Sequence, residues 1–142
     1  MKKIFFKSMI LLLVLGCSKN DNTREETSLV GKWKAEATLI GTGGDVYTNP
    51  IEDGQTIIFR EDSSFEIVDS QIDCFSGNYG VTENSEQNFN MDVISLACDN
   101  GNLVRYAYSF EEGKLLLSFI VSDGSTGCDE ICAERYIRLS SE

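Results

Sequence analysis

Lys32-Trp33-Lys34-Ala35-Glu36-Ala37-Thr38-Leu39-Ile40 alternates apolar and polar side chains without a break over most of its length. A period of two puts Trp33, Ala35, Ala37 and Leu39 on one face of an extended chain and Lys34, Glu36 and Thr38 on the other, which is the pattern of a half-buried strand. The same period returns in residues 55–60, 64–69, 73–82, 88–98, 102–111, 114–122 and 134–140, so eight strands are expected. The links are short and polar: Glu61-Asp62-Ser63, Glu83-Asn84-Ser85-Glu86, Asp99-Asn100-Gly101 and Glu111-Glu112-Gly113. Links of that length cannot cross over a sheet, so consecutive strands must run antiparallel as a meander. In residues 88–98 the apolar set slips from Phe89, Met91 and Val93 to Ile94, Leu96 and Cys98, which predicts a β-bulge.

An open eight-strand meander would leave two unpaired edges, and closing the sheet removes them. The expected fold is therefore all-β, an eight-stranded antiparallel up-and-down barrel with no substantial helix. Such a barrel has room inside for side chains or one small ligand. One connector is unlike the others. Residues 41–54, Gly-Thr-Gly-Gly-Asp-Val-Tyr-Thr-Asn-Pro-Ile-Glu-Asp-Gly, read as a long loop between the first two strands. It is either a lid, with Tyr47 and Ile51 folded over the barrel mouth, or a slack connection.

Outward from the barrel, the N-terminus has three parts: the basic Met1-Lys2-Lys3-Ile4-Phe5-Phe6-Lys7, the apolar run Met9 to Leu15, and Gly16-Cys17-Ser18. These are the parts of a secretory signal, and the apolar run is shorter than the roughly 20 residues a membrane span needs. Val14-Leu15-Gly16-Cys17 resembles the lipobox of bacterial lipoproteins. The resemblance implies cleavage after residue 16 and a diacylglycerol on Cys17; an ordinary secretory cut would leave Cys17 as a spare thiol. Ser18 implies delivery to the outer membrane, by the sorting rule of some bacteria. The expected organisation is a signal over 1–16, a lipidated Cys17 with a polar tether over 17–28, and one domain over 29–142. The membrane is then a partner through the lipid alone, and the expected location is the cell envelope.

The 142 residues carry 12 basic and 23 acidic side chains, and three of the lysines lie in the signal. Nine basic groups against 23 leave a charge of −14 after cleavage, which repels nucleic acid and anionic headgroups. There is no histidine. Ser-His-Asp and Cys-His catalysis and histidine metal sites are thereby excluded, and neither a cofactor nor an enzymatic role is expected. Asp73, Asp123-Gly124 and Asp129-Glu130 are acidic turns without the orientation a glycosidase pair needs. Asp99-Asn100-Gly101-Asn102 falls short of a calcium loop.

Apart from Cys17 four cysteines remain: Cys74, Cys98, Cys128 and Cys132. An even number in an exported chain implies two disulfides, with three pairings open. Cys74 with Cys98 and Cys128 with Cys132 are favoured, because each pair sits near facing ends of neighbouring elements. Zinc is the competing use of four thiols, but Cys74 and Cys98 lack paired short spacings.

Gly31-Lys32-Trp33 at the start of the first strand is a Gly-x-Trp motif and resembles the lipocalin signature. With Leu29-Val30, the long first loop, the Phe59 to Phe65 hairpin, Gly77-Asn78-Tyr79 and Tyr136-Ile137-Arg138-Leu139, residues 29–142 resemble the small lipocalin-like lipoproteins of Gram-negative bacteria. The resemblance implies that Trp33 closes the barrel floor with Gly31 beside it, and that an arginine from the last strand, Arg138 or else Arg135, stacks across it. Two features of the family do not show in the residues, its Thr-Asp-Tyr turn and its C-terminal helix. The segments Cys74 to Tyr79 and Cys98 also resemble the META-type barrel, another small exported β-domain.

The expected function is ligand carriage: a small apolar or amphipathic molecule inside the barrel, touching candidates among Tyr47, Phe59, Phe65, Tyr79, Tyr106, Tyr108, Leu117 and Phe119, with Trp33 and Ala35 also facing inward. The alternative is a protein-interaction, scaffold or inhibitor module of the envelope, using the acidic turns around Cys128 and Cys132 against a protein partner.

Overall fold

A computed structural model describes residues 28–42, 44–82, 92–120 and 132–140. The lipobox, most of the tether, the 83–91 connection and Cys128 lie outside the described residues. Nine strands follow in chain order: β1 (Gly31–Thr42), β2 (Asp45–Pro50), β3 (Thr56–Phe59), β4 (Ser64–Val68), β5 (Ser76–Thr82), β6 (Asp92–Cys98), β7 (Leu103–Glu111), β8 (Lys114–Phe119) and β9 (Cys132–Leu139). None of the described residues is helical.

Every ladder is antiparallel, and from β3 to β9 each strand pairs with the next in sequence. The ring closes where β9 pairs with β1, from Lys32 opposite Leu139 to Ile40 opposite Cys132. Eight strands thus form a closed barrel, β1-β3-β4-β5-β6-β7-β8-β9.

The stagger of that ring follows from the registers. One row of directly opposed residues runs Gly31, Phe59, Phe65, Gly77, Cys98. A second runs Asp92, Tyr108, Leu117, Glu134, Thr38. The rows are six residues apart on β6 and seven on β1, so one circuit advances β1 by thirteen residues. One of the thirteen is a bulge at Glu36, where β9 passes from Tyr136 opposite Ala35 to Arg135 opposite Ala37. The stagger is therefore twelve. Eight strands with a stagger of eight enclose only their own side chains, whereas a stagger of twelve tilts the strands further and widens the interior.

The bulge predicted in residues 88–98 is not found among the described residues, since β6 keeps an unbroken register with both neighbours from Asp92 or Val93 onward. Val93 and Ile94 are both buried for another reason. They point to opposite faces of β6, and Val93 lies on the outer face opposite Ala107, which is itself buried.

The expected long loop also needs correction. Residues 45–50 form β2, which pairs with the second half of β1 from Ala37 opposite Pro50 to Thr42 opposite Asp45. β3 pairs with the first half of the same edge, so β2 and β3 are one interrupted strand. The interruption keeps its backbone paired: Ile51 N–H donates to Glu36 O at 2.8 Å and Ala35 N–H to Gln55 O at 3.0 Å. Tyr47 is 56% exposed on β2 and covers no mouth.

The main core cluster is built from the inward positions Trp33, Ala35, Ile57, Phe59, Phe65, Ile67, Ile94, Leu96, Tyr106, Leu115, Leu117 and Tyr136, joined by Cys74 and Cys98. Burial of each large member contributes about 1.5–3 kcal/mol. Cys74 and Cys98 form a disulfide with Cα atoms 5.5 Å apart, as expected, and it ties the 69–75 turn to the end of β6. Cys132 is also disulfide-bonded, and its favoured partner Cys128 lies outside the described residues.

Candidate functional site

The two ends of the barrel differ in chemistry. At the end where β1 begins, Trp33 is fully buried and its indole N–H donates to Leu29 O at 2.8 Å. The Arg138 guanidinium lies 5.4 Å from the Trp33 ring and donates to Val30 O. Its planar, weakly hydrated cation suits a ring face, and the contact is worth roughly 0.5–2 kcal/mol. Gly31 is required here. A Cβ on it would stand 2.9 Å from Arg138 Nε, and its φ of 148° is one that glycine alone adopts readily. Phe110 adds a second ring at 5.9 Å from Trp33. Gly31, Trp33 and Arg138 thus meet as a floor, while Arg135 faces outward to Glu36 at 2.7 Å.

Of the ligand candidates, Phe59, Phe65 and Leu117 are all at most 2% exposed and serve as packing. Tyr79 packs edge-on against Phe59 at 5.0 Å and its hydroxyl donates to Arg60 O at 3.0 Å, near the floor. Tyr108 stands edge-on to Phe110 at 6.0 Å. Tyr106 and Phe119 lie together toward the other end, with ring centroids 5.8 Å apart. Phe119 shares a row with Tyr106 and so occupies an inward position, yet it is 51% exposed. An inward aromatic that meets solvent marks an opening.

Three polar side chains that the alternation pattern did not single out sit beside this opening. Gln55, Glu134 and Tyr136 face one another inside the barrel. Gln55 Nε2 donates to the Tyr136 hydroxyl at 2.8 Å and to Glu134 Oε2 at 3.3 Å, and the Tyr136 hydroxyl donates to the same carboxylate oxygen. Gln55 is 8% exposed and its Oε1 is buried without a partner. Burial, reinforced by the Glu134 charge, pushes the Tyr106 hydroxyl up to about 12 and raises Tyr136 further still. Both phenols stay protonated at any physiological pH. The missed signal was on β9, where Glu134 shares its period-two face with Tyr136 and Arg138.

A separate pocket of about 150 Å³ opens on the outside of the barrel beside the disulfide, lined by Asp73, Phe75, Ser76, Asp99 and Asn100. Its side chains are largely committed to each other. Asn100 Nδ2 and Asn102 Nδ2 donate to Asp73 O, and Ser76 Oγ donates to Asp99 Oδ2. The described residues contain no group of three or more acids and cysteines able to hold a metal.

A closed eight-stranded antiparallel barrel with a Gly-x-Trp floor is consistent with a lipocalin-like fold. The chain matches no family model, no curated protein and no solved structure.

Proposed function

We propose that this chain is a lipid-anchored envelope protein whose barrel takes up a small apolar or amphipathic molecule at the end away from Trp33. The observation that carries the reading is the contrast between the ends: a floor sealed by Trp33 and Arg138, and an opposite end where the inward-placed Phe119 is half exposed against Tyr106. The tightly packed lower interior restricts a ligand to the upper half, next to Gln55 and Glu134. The wide stagger of the ring supports room there.

Native mass spectrometry of the exported protein, compared before and after solvent extraction, tests the carrier role. A released small molecule is the expected result, and a protein of sequence mass alone under native conditions would contradict it. The anchor rests on the residues Val14 to Cys17 and is tested separately. The N-terminal peptide should carry acyl chains on Cys17, and Cys17→Ser should release the protein from membranes.

A second reading has one observation in its favour. Phe75 is 57% exposed beside the acidic pocket at the disulfide, which suits a protein partner with a basic, apolar contact. Crosslinking in cells would then recover a stoichiometric partner, and Phe75→Ser would abolish its capture.

A further inference from the structure

The polar group inside the upper barrel has an uneven inventory. Gln55 Nε2 has two hydrogens, and both are used, on Tyr136 and on Glu134. The Tyr136 hydroxyl has one hydrogen, given to Glu134 Oε2. Among the described residues what remains is acceptor capacity: Gln55 Oε1, which is buried with no partner, and Glu134 Oε1, which takes none of these bonds. A buried acceptor left unmade costs free energy, so the site gains from an incoming donor.

We infer that the barrel recognises its ligand by a hydrogen-bond-donating, cationic head, a primary ammonium group on an apolar tail, with Gln55 Oε1 and Glu134 accepting from it. This deepens the carrier reading and rests on it. Head first, the ammonium reaches Glu134 and Gln55 while the tail lies along Tyr106 and Phe119 toward the opening. A carboxylate head would meet the Glu134 charge, and the donors of this group, Gln55 Nε2 and the Tyr136 hydroxyl, are already spent on Tyr136 and Glu134. Burial and, after it, the Glu134 charge push the Tyr106 hydroxyl upward, and both would act in the same sense against a second anion beside it. A hydroxyl head offers one donor and no charge, and ranks between the two.

The test uses the full chain with Cys17→Ser, which needs no detergent, and three probes of equal tail length: n-octylammonium, octanol and octanoate. Binding is followed by titration calorimetry and by the ring resonances of Phe119 and Tyr106, so that ion pairing on the acidic outer surface is not counted. Octylammonium should bind at least about tenfold more tightly than octanoate, with octanol between them. Glu134→Gln should remove most of the octylammonium preference and leave octanol nearly unchanged. Gln55→Leu should weaken octylammonium and octanol together, and provides a second variant if the first folds poorly. Equal affinity for all three heads, or an octylammonium affinity indifferent to Glu134→Gln, overturns the inference and leaves the carrier reading standing. No binding by any of the three, with Phe119 and Tyr106 unmoved, overturns both.

Discussion

Single side chains carry more than their share of this fold at the floor. Trp33 is buried, hydrogen-bonded and stacked under Arg138 at once, so Trp33→Ala should lower stability by about 3–5 kcal/mol in a urea melt. Arg138→Lys keeps the charge and loses the planar stack, at a cost of roughly 1 kcal/mol by the same measurement. Glu36 makes the other residue-scale prediction. Its carboxylate accepts from Lys114 and Arg135, each at 2.7 Å, and the Lys114 bond is the main cause that holds it below its ordinary value of 4.5. A carboxyl depressed by folding contributes stability above its unfolded value and loses it as pH falls through the lower folded one. Acid titration of the melting temperature should therefore flatten below pH 4.5 in Glu36→Gln relative to the parent.

The strands were legible wherever one face is buried, because burial imposes the period of two. All eight expected strands are present, and in β3 and β4 the alternation of buried and half-exposed residues follows the apolar pattern directly. In β1 the expected single face holds only as far as the bulge at Glu36, beyond which Ala37 and Leu39 lie opposite Arg135 and Ala133 and are buried on the outer face. β2 escaped for the same reason in reverse. All six of its residues are exposed, so no apolar period exists to be read, and Gly41, Gly44 and Pro50 imitate a loop. Backbone pairing with β1 alone makes it a strand. Gln55 and Glu134 escaped because a polar residue in an alternating run is ordinarily assigned outward; here the Gln55 amide hydrogens are taken by the inward Tyr136 and Glu134. The break between β2 and β3 needs Gly54, where a Cβ would stand 2.1 Å from Ala35 O. Gly54→Ala should cost on the order of 2–3 kcal/mol, read by thermal unfolding. Replacing both Cys74 and Cys98 by serine frees a 24-residue separation and should cost roughly 3 kcal/mol.

For the whole molecule, closure of the ring satisfies the edges of the meander and gives an amphipathic sheet an apolar inside, with Trp33 and Arg138 across one end. The excess of acidic side chains would disfavour nucleic acid, and the lipid expected on Cys17 would hold the barrel at a membrane without help from its surface. Everything proposed about its contents depends on β9 returning to β1 with Tyr136 opposite Ala35 and Glu134 opposite Thr38. Amide hydrogen exchange followed by NMR tests that closure directly. The β1 and β9 amides that face each other should exchange as slowly as those of the β5–β6 ladder. Exchange at loop rates along either facing edge, with β5–β6 still protected, would mean an open sheet and would contradict the barrel.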